Sequence, residues 1–248
     1  MNNKKVAIVI SSFDGYSDLW SPLEESYKKY WEDCPYGLYL TINFKEYKSD
    51  LFKTLKVGKD KSWSDMLYKS VEMLEENYVL LTFDDLFLAH KIYTQDIASL
   101  IDYAIDNDIE YLGLYPSVSR HTKITDKIVN KNKNSNYRNA TVWSLWKKEV
   151  LLDLLDRDEN AWEFEDKGSV RSNKYDKFYC VNYPAIHYLN GVIKGKWHPK
   201  VVKKLQKMGI EIDLKSRKVM SLKESLKYDV VNKCYNLYKS ILFKGKYD

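Results

Sequence analysis

Short apolar runs alternate with amphipathic stretches along the first half of the chain. Four runs have the length of buried strands and lie at residues 6–10, 37–42, 78–83 and 110–115. Helical spacing of apolar positions occurs at residues 18–31, 63–74 and 97–105. Buried strands that alternate with helices form a mostly parallel sheet with helices on both faces. The pattern therefore predicts an α/β fold.

The second half of the chain is less regular. Residues 117–139 contain few apolar positions and an Asn- and Lys-rich tract, which predicts a loop that closes over a ligand. A strand is predicted at 178–181 and a helix start at His198-Pro199. The last predicted helix, 221–243, has apolar positions along one side at Leu222, Leu226, Val230, Cys234, Leu237 and Ile241.

Composition narrows the class of protein. With 248 residues, of which 44% are hydrophobic, the chain can bury a full core and is not disordered as a whole. Its three cysteines have no metal-binding or disulfide spacing, so we expect them to be reduced. No apolar run approaches the roughly 20 residues that span a bilayer, and no signal-like segment is present, which predicts a cytoplasmic protein.

Positive charge is concentrated near the end of the chain. Residues 191–248 hold 15 Lys and Arg against 5 Asp and Glu, a balance of +10, whereas the whole chain carries +5. A basic helix of this kind either is a solvated surface or is attracted to an anionic membrane or to nucleic acid. We predict a peripheral contact with the inner face of the membrane, with packing of the apolar side against the rest of the protein as the alternative.

Two adjacent carboxylates end the third predicted strand. In the run from Tyr78 to Leu88, the apolar residues stop at Asp84 and Asp85. Ligands of open α/β sheets bind beyond the carboxyl ends of the strands, where two acids can hold a divalent cation against a diphosphate. The alternative is that one of the two acids only caps the following turn.

Five short segments occur in an order typical of one enzyme superfamily. They are Ser11-Ser12-Phe13-Asp14, Lys61-Ser62-Trp63-Ser64, Thr82-Phe83-Asp84-Asp85, Asn160-Ala161-Trp162-Glu163-Phe164-Glu165 and Gly195-Lys196-Trp197. With these segments the chain resembles the GT-A glycosyltransferases, and more narrowly the small bacterial enzymes that build O-antigen, capsule or lipooligosaccharide. The resemblance implies a GT-A-like catalytic domain over residues 1–198 and a basic helical appendage over 199–248. It also implies transfer of a sugar, with inversion, from a nucleoside-diphosphate sugar to a hydroxyl of a growing, lipid-linked glycan.

The resemblance further implies a divalent cation, manganese or magnesium, as cofactor. Asp84 and Asp85 would bind it, with His187 as a late ligand. Related enzymes usually carry Asp-x-Asp at this place, whereas the two acids here are adjacent. Metal-independent catalysis is therefore the alternative, in which Arg120 or Arg171 contacts the diphosphate directly.

Other positions are assigned by the same resemblance. Glu165, or else Glu163, is the expected general base, and Trp162 is the expected platform for a sugar ring. Glu165 is preferred because Gly168 permits a sharp turn nearby. The alternative is a half-buried strand whose aromatic residues lie in the core. The nucleotide would be contacted by Ser11, Asp14, Trp63 and Asp65.

Two other classes of protein remain open. One is a nucleotidyltransferase or another nucleotide-using transferase, although neither GxGxxG nor GxxxxGK[ST] occurs in the chain. The other is a non-catalytic module that binds carbohydrate or nucleic acid, a reading supported by 21 tyrosines, 7 tryptophans and the basic tail. An acid pair repels phosphates unless a cation is present, so we expect no nucleic-acid partner.

Overall fold

A computed structural model describes residues 5–117 and 121–243, with the backbone alone for His121 and for residues 235–243. The helices are α1 (Trp20–Tyr30), α2 (Trp63–Glu72), α3 (Thr94–Asp106), α4 (Lys148–Leu154), α5 (Ala161–Arg171), α6 (Pro199–Lys207) and α7 (Leu222–Phe243). The strands are β1 (Val6–Ser11), β2 (Gly37–Ile42), β3 (Phe52–Lys56), β4 (Tyr78–Phe83), β5 (Leu86–Leu88), β6 (Tyr111–Gly113), β7 (His121–Lys123), β8 (Ile128–Lys131), β9 (Ser144–Lys147), β10 (Phe178–Val181), β11 (Tyr188–Asn190), β12 (Val192–Ile193) and β13 (Lys196–Trp197).

Nine strands form the central sheet, in the order β3-β2-β1-β4-β9-β6-β10-β8-β7. The first four of these strands are parallel to one another, as are β6 and β10. Strand β9 lies antiparallel between β4 and β6, which makes the sheet mixed. The predicted α/β fold with a parallel core is thereby confirmed, and the antiparallel insertion is a feature that the sequence pattern did not indicate.

The core has two parts, one on each face of the sheet. Val6, Ile8 and Ile10 of β1 belong to the cluster that includes residues of α1 and α3. Ala7 and Val9 belong to the cluster that includes residues of α2 and α4. Because both faces of β1 are covered, its sequence is continuously apolar rather than alternating.

Two segments differ from their predicted structure. Within residues 117–139, predicted to be a loop, strands β7 and β8 pair at the sheet edge, because Ile128 and Val129 supply enough apolar surface for a strand. Residues 161–165, for which a half-buried strand was the alternative, begin helix α5. Asn160 caps that helix, and its capping box with Glu163 fixes the start.

The end of the chain packs in two different ways. Val202 and Leu205 of α6 join the core cluster of β1. Helix α7 instead leaves Leu226 and Val230 each 59% exposed, so the alternative in which its apolar side packs on the protein is wrong for these positions. The side chains of Leu237 and Ile241 lie outside the described residues. The division of the chain at residue 198 stays a prediction.

Within residues 5–117 and 121–243, none of the helices combines the length and the apolar character that crossing a bilayer requires.

Candidate functional site

The acid pair lies where β1 and β4 end side by side. Their parallel register aligns Ser11 with Phe83, and the Asp84 N–H donates to the Ser11 carbonyl at 3.3 Å. One residue further, the Ser12 hydroxyl donates to the Asp84 carboxylate. Trp20 Nε1 donates to the Ser12 oxygen at 2.7 Å and thereby holds the hydroxyl in place. The predicted placement of the acids beyond the sheet edge follows from this register.

The two carboxylates differ in exposure. Asp84 is 4% exposed, and burial, followed by the charge of Asp85, raises its pKa well above the ordinary value. Asp85 is partly buried, and burial raises its pKa to about 6. Its own backbone N–H and the charge of Arg217 partly offset this increase. Asp85 is therefore the more accessible acid for a ligand, while Asp84 is buried and receives the Ser12 hydroxyl.

Arg217 brings a positive charge to this pair and was not found in the sequence. Its guanidinium donates to both oxygens of Asp18, at 2.8 and 2.7 Å, and to the carbonyls of Gly15 and Gly195 at 3.2 Å each. It also lies 4.1 Å from the ring centre of Tyr16. The side chain is 8% exposed, so it is held firmly. We call Ser12, Asp84, Asp85 and Arg217 together the acid-pair site.

Arg217 acts electrostatically on both acids. Its charge opposes the effect of burial and lowers the pKa of Asp84 and of Asp85. The sequence did contain one signal, because Arg217 is the only arginine among the 15 basic residues of the segment 191–248. Guanidinium binds carboxylate and phosphate in a bidentate manner, which lysine does not.

Ser11 and Trp63 form one wall beside the acid-pair site. Trp63 Nε1 donates to the Ser11 hydroxyl at 2.8 Å. Its indole stacks on Phe83, with ring centres 6.0 Å apart and planes inclined by 19°, and also contacts Phe164. The structure thus brings the two predicted nucleotide contacts together, with Trp63 held by aromatic neighbours.

Asp14 and Asp65 are engaged by the protein itself. The Asp14 carboxylate accepts at 3.0 Å from each of three successive backbone N–H groups, those of residues 43–45, and so ties the loop after β1 to the loop after β2. Asp65 is 1% exposed. Burial alone would raise the pKa of Asp65, but contacts with Lys69 and Arg157 lower it to about 2. These contacts do not support the predicted role of Asp65 at a ribose.

The two candidate bases on α5 have different surroundings. The Glu163 carboxylate accepts from the Asn160 N–H at 3.0 Å, which is its half of the capping box. Glu165 accepts from the backbone N–H and the hydroxyl of Thr141 at 2.8 and 2.7 Å. Because positions two apart on a helix point in nearly opposite directions, only one of the two can face the acid-pair site.

The charge of Glu165, like that of Asp85, acts on Tyr188. Burial raises the pKa of Tyr188 to about 12, and the charges of Tyr115, Asp85 and Glu165 add to the increase. Asp85 and Glu165 therefore lie within electrostatic range of one phenol.

Trp162 is 80% exposed while Phe164 is fully buried, so the alternative in which both aromatic residues lie in the core is wrong.

Three predicted contacts are not brought to the acid pair. Arg171 donates to both oxygens of Glu159, at 2.8 and 2.6 Å, and its charge is not among those that act on Asp84 and Asp85. His187 lies beside Ala89 in the β5 and β11 pairing, four residues beyond the level of Asp85, or about 13 Å at the rise of a strand. Its ring lies edge to face with that of His90, with ring centres 5.5 Å apart. Arg120 lies outside the described residues.

A divalent cation fits this site only in part. Burial raises the pKa of both carboxylates, and the charge of Asp85 raises that of Asp84 further, so their ionised forms are unfavourable here and a cation would stabilise them. Within the described residues, no group of three or more His, Cys, Asp or Glu side chains is arranged to hold a metal ion. A cation here would need the oxygens of a bound ligand to complete its shell.

The raised pKa values predict a pH-dependent stability. An acid whose pKa is higher in the folded state stabilises the fold below its unfolded pKa, and this contribution is lost as the pH rises through the folded pKa. Asp85→Asn lacks this loss. At 1.36 kcal/mol per pKa unit, its unfolding free energy relative to that of the parent protein should therefore rise by about 1–2 kcal/mol from pH 5 to pH 8. Urea unfolding in the presence of a chelator measures this gain.

An exposed acid provides the control for that measurement. Asp106 lies at the end of α3 and is exposed, so Asp106→Asn should leave the difference between the two pH values unchanged. A parent protein whose unfolding free energy does not fall from pH 5 to pH 8 relative to Asp85→Asn would contradict the assignment.

Comparison with known proteins relates the chain to others by fold alone. No protein-family model matches it, and no curated protein sequence does. It is similar to S. aureus TarS residues 1–349, with a TM-score of 0.53, 10% identity and coverage of 86% of this chain and 67% of that one. It is also similar to a UDP-glucose pyrophosphorylase complexed with UDP-glucose, with a TM-score of 0.53, 6% identity and coverage of 83% and 98%. A third is HddC from Yersinia pseudotuberculosis, with a TM-score of 0.50, 10% identity and coverage of 82% and 99%.

At these identities the similarity shows the fold alone, which is a GT-A-like α/β fold with a mixed sheet and a parallel core. The resemblance inferred from the sequence is confirmed at this level.

Proposed function

We propose that this protein is a glycosyltransferase that moves a sugar from a nucleoside-diphosphate sugar to a hydroxyl of a growing surface glycan. The observation that carries the proposal is the charge distribution around the end of β1. Residues 12–19, which follow that strand, contain Asp14 and Asp18 and no Lys or Arg. The acid pair lies beside them, with Arg217 as the cation held at the same place.

This distribution favours glycosyl transfer over nucleotidyl transfer. A nucleotidyltransferase must bind a triphosphate and stabilise departing pyrophosphate, which requires cationic groups or free N–H groups in a phosphate-binding loop. Here the three N–H groups after β2 are taken by Asp14. A nucleoside-diphosphate sugar carries less charge, and one divalent cation held by the acid pair would balance it.

Departure of the nucleoside diphosphate is the step that needs positive charge. Arg217 contributes a fixed charge beside both carboxylates. A divalent cation held by Asp85 would neutralise further charge on the diphosphate. Ser12 orients Asp84 through its hydroxyl, and Trp63 with Ser11 would contact the nucleotide.

Glu165 would take the proton of the acceptor hydroxyl. Thr141 fixes its carboxylate with two hydrogen bonds, which sets the direction in which the remaining lone pairs point. An inverting reaction requires such a base, which lies opposite the leaving group, and the charges of both Glu165 and Asp85 act on the phenol of Tyr188. Trp162, which is 80% exposed, would offer a surface to the acceptor glycan.

The donor class is the first thing to test. The structure of S. aureus TarS residues 1–349 in complex with UDP, similar to this chain with a TM-score of 0.52, makes uridine nucleotides the first choice. Titration calorimetry with UDP, CDP, GDP and TDP, with and without manganese, identifies the base and the cation dependence. Hydrolysis of a panel of sugar nucleotides then identifies the sugar.

The competing reaction has its own assay. A nucleotidyltransferase would release pyrophosphate from a nucleoside triphosphate and a sugar 1-phosphate. Pyrophosphate release without any nucleoside diphosphate formed from sugar nucleotides would overturn the proposal, and binding of glycan without nucleotide would favour a non-catalytic module.

Arg217 gives a prediction that separates charge from structure. Arg217→Met leaves Asp18 buried without its partner, which costs about 3–5 kcal/mol of unfolding free energy. The double variant Arg217→Met with Asp18→Asn should recover most of that stability, because no charge is left unpaired. If Arg217 stabilises the leaving group, the double variant should still transfer sugar about 10- to 100-fold more slowly.

Thermal unfolding and initial rates, measured on both variants, check the two effects separately. Full activity in the double variant would restrict Arg217 to a structural role.

A further inference from the structure

The part of helix α7 whose side chains the structure describes, residues 222–234, contacts the rest of the protein through its polar side. Ser225 is 4% exposed, and Asp229 accepts from His198 Nε2 at 3.2 Å and from Lys200. Glu224 accepts from Lys196 at 2.5 Å. Glu224 and Asp229 are the two acids in the sequence of this helix, and both are therefore paired with basic residues of the protein body.

The apolar side of the same helix faces outward. Leu222, Leu226 and Val230 follow one another at intervals of four residues and are 75%, 59% and 59% exposed. Residues at this interval lie on one face of a helix. Surface helices ordinarily bury their apolar face against the protein. In residues 222–234 of α7 the apolar face is exposed instead.

Lysines accompany the exposed apolar residues. Lys223, Lys227 and Lys233 are all exposed and lie at or beside the stripe by helical position. With the two acids turned toward the protein body, the outward side of the described part of α7 carries apolar and cationic groups. We call Leu222, Leu226 and Val230, together with these three lysines, the outward face of α7.

Charge decides between the two main occupants of such a face. A second copy of the chain, related by a two-fold axis, would place the same lysines opposite one another, and like charges would repel. An anionic lipid surface instead attracts the lysines and accepts the leucine and valine side chains into its interfacial region. The balance of +10 over residues 191–248 adds to this attraction.

We propose that the outward face of α7 docks the protein on an anionic lipid membrane. The helix lies in the plane of the interface, with its acids held by Lys196 and Lys200 of the protein body. The attachment is reversible and depends on salt, because the Debye length falls from about 30 Å at 0.01 M to about 3 Å at 1 M. This inference is independent of the sugar-transfer chemistry.

Sedimentation of the full chain with vesicles tests the proposal. One set of vesicles contains phosphatidylglycerol with phosphatidylcholine, and the other contains phosphatidylcholine alone. We expect binding to the anionic vesicles at low salt, a loss of at least tenfold in bound fraction at high salt, and little binding to the neutral vesicles.

Three variants locate the surface. Leu226→Ser with Val230→Ser removes apolar groups, and Lys223→Glu with Lys227→Glu reverses charge on the outward face. The matched control is Lys203→Glu with Lys207→Glu, which changes the net charge equally at exposed positions of α6. We expect both α7 variants to lose at least fivefold in vesicle binding and the control to change less than twofold.

Three results would overturn the inference. The first is no vesicle binding by the parent protein at low salt. The second is an equal loss of binding in the α6 control, which would show general attraction to a basic tail. The third is a dimer in sedimentation velocity that is lost with the Leu226 and Val230 substitutions, since the face would then join two copies. Vesicle binding is measured without substrate, so a failure of the proposed sugar transfer is seen separately.

Discussion

Replacing Asp85 with asparagine is expected to slow sugar transfer by roughly 10²–10³-fold while the fold remains intact. Asparagine has nearly the same volume as aspartate but no charge, so the packing around β4 and β5 is kept. What is lost is the partly buried carboxylate that can contact a cation and the donor diphosphate. Because burial disfavours that charge, the variant should be at least as stable as the parent protein at pH 8.

Binding of a cation at Asp85 can be measured from the melting temperature, without an assay of sugar transfer. If Asp85 binds manganese together with UDP, the two ligands should raise the melting temperature of the parent protein and should do so much less in Asp85→Asn. Asp106→Asn serves as the control again. Equal activity and an equal melting-temperature increase in parent and variant would remove Asp85 from the site and favour metal-independent catalysis.

Asp84 offers a comparison within the same pair. It is 4% exposed and receives the Ser12 hydroxyl, so its part is to support Asp85 rather than to meet the ligand. We expect Asp84→Asn to lose less activity than Asp85→Asn. A larger loss in Asp84→Asn would reverse the assignment of the two acids.

Glu165→Gln should lower the turnover number by a hundredfold or more, the size of effect expected for loss of a general base. Glutamine keeps an oxygen that can accept from Thr141, so the position of the side chain is retained. Donor binding should persist, so the loss should fall on the turnover number and not on the affinity for the donor.

Glu163→Gln is the matched control for this substitution. Glutamine at the third helical position also completes a capping box, so α5 should keep its start at residue 161. We expect less than a threefold change in rate. Proton NMR of the product decides the remaining point, because retention of the anomeric configuration would exclude a general base at Glu165 whatever the variants show.

Caps and apolar runs made several elements predictable. The run at 78–83 coincides with β4, and Ser62 caps α2 where the sequence predicts a helix start. His198 likewise precedes α6, with Pro199 in its first turn. These features depend on neighbouring residues only, so the sequence states them directly.

Other predictions needed the three-dimensional arrangement. Glu163 and Glu165 are the same residue type in the same short segment, so the sequence does not separate their roles. The helical geometry of α5 directs Glu165 toward Thr141 and Glu163 toward the cap residue Asn160. Arg171 has the chemistry to bind phosphate, yet Glu159 pairs with it. Such contacts depend on which side chains are close in space, and the pattern of residue types does not give that information.

The sequence by itself thus determined the parallel core of the sheet and the acids at its edge, because burying both faces of a strand requires a continuous apolar run and polar residues must follow where it ends. The tertiary structure decided which charges meet there. Arg217 reaches Asp18 across 199 positions of the chain, and β9 enters between β4 and β6 from a segment more than 30 residues beyond the latter. Contacts between such distant positions arise from packing of the whole chain, so no local pattern could have predicted them.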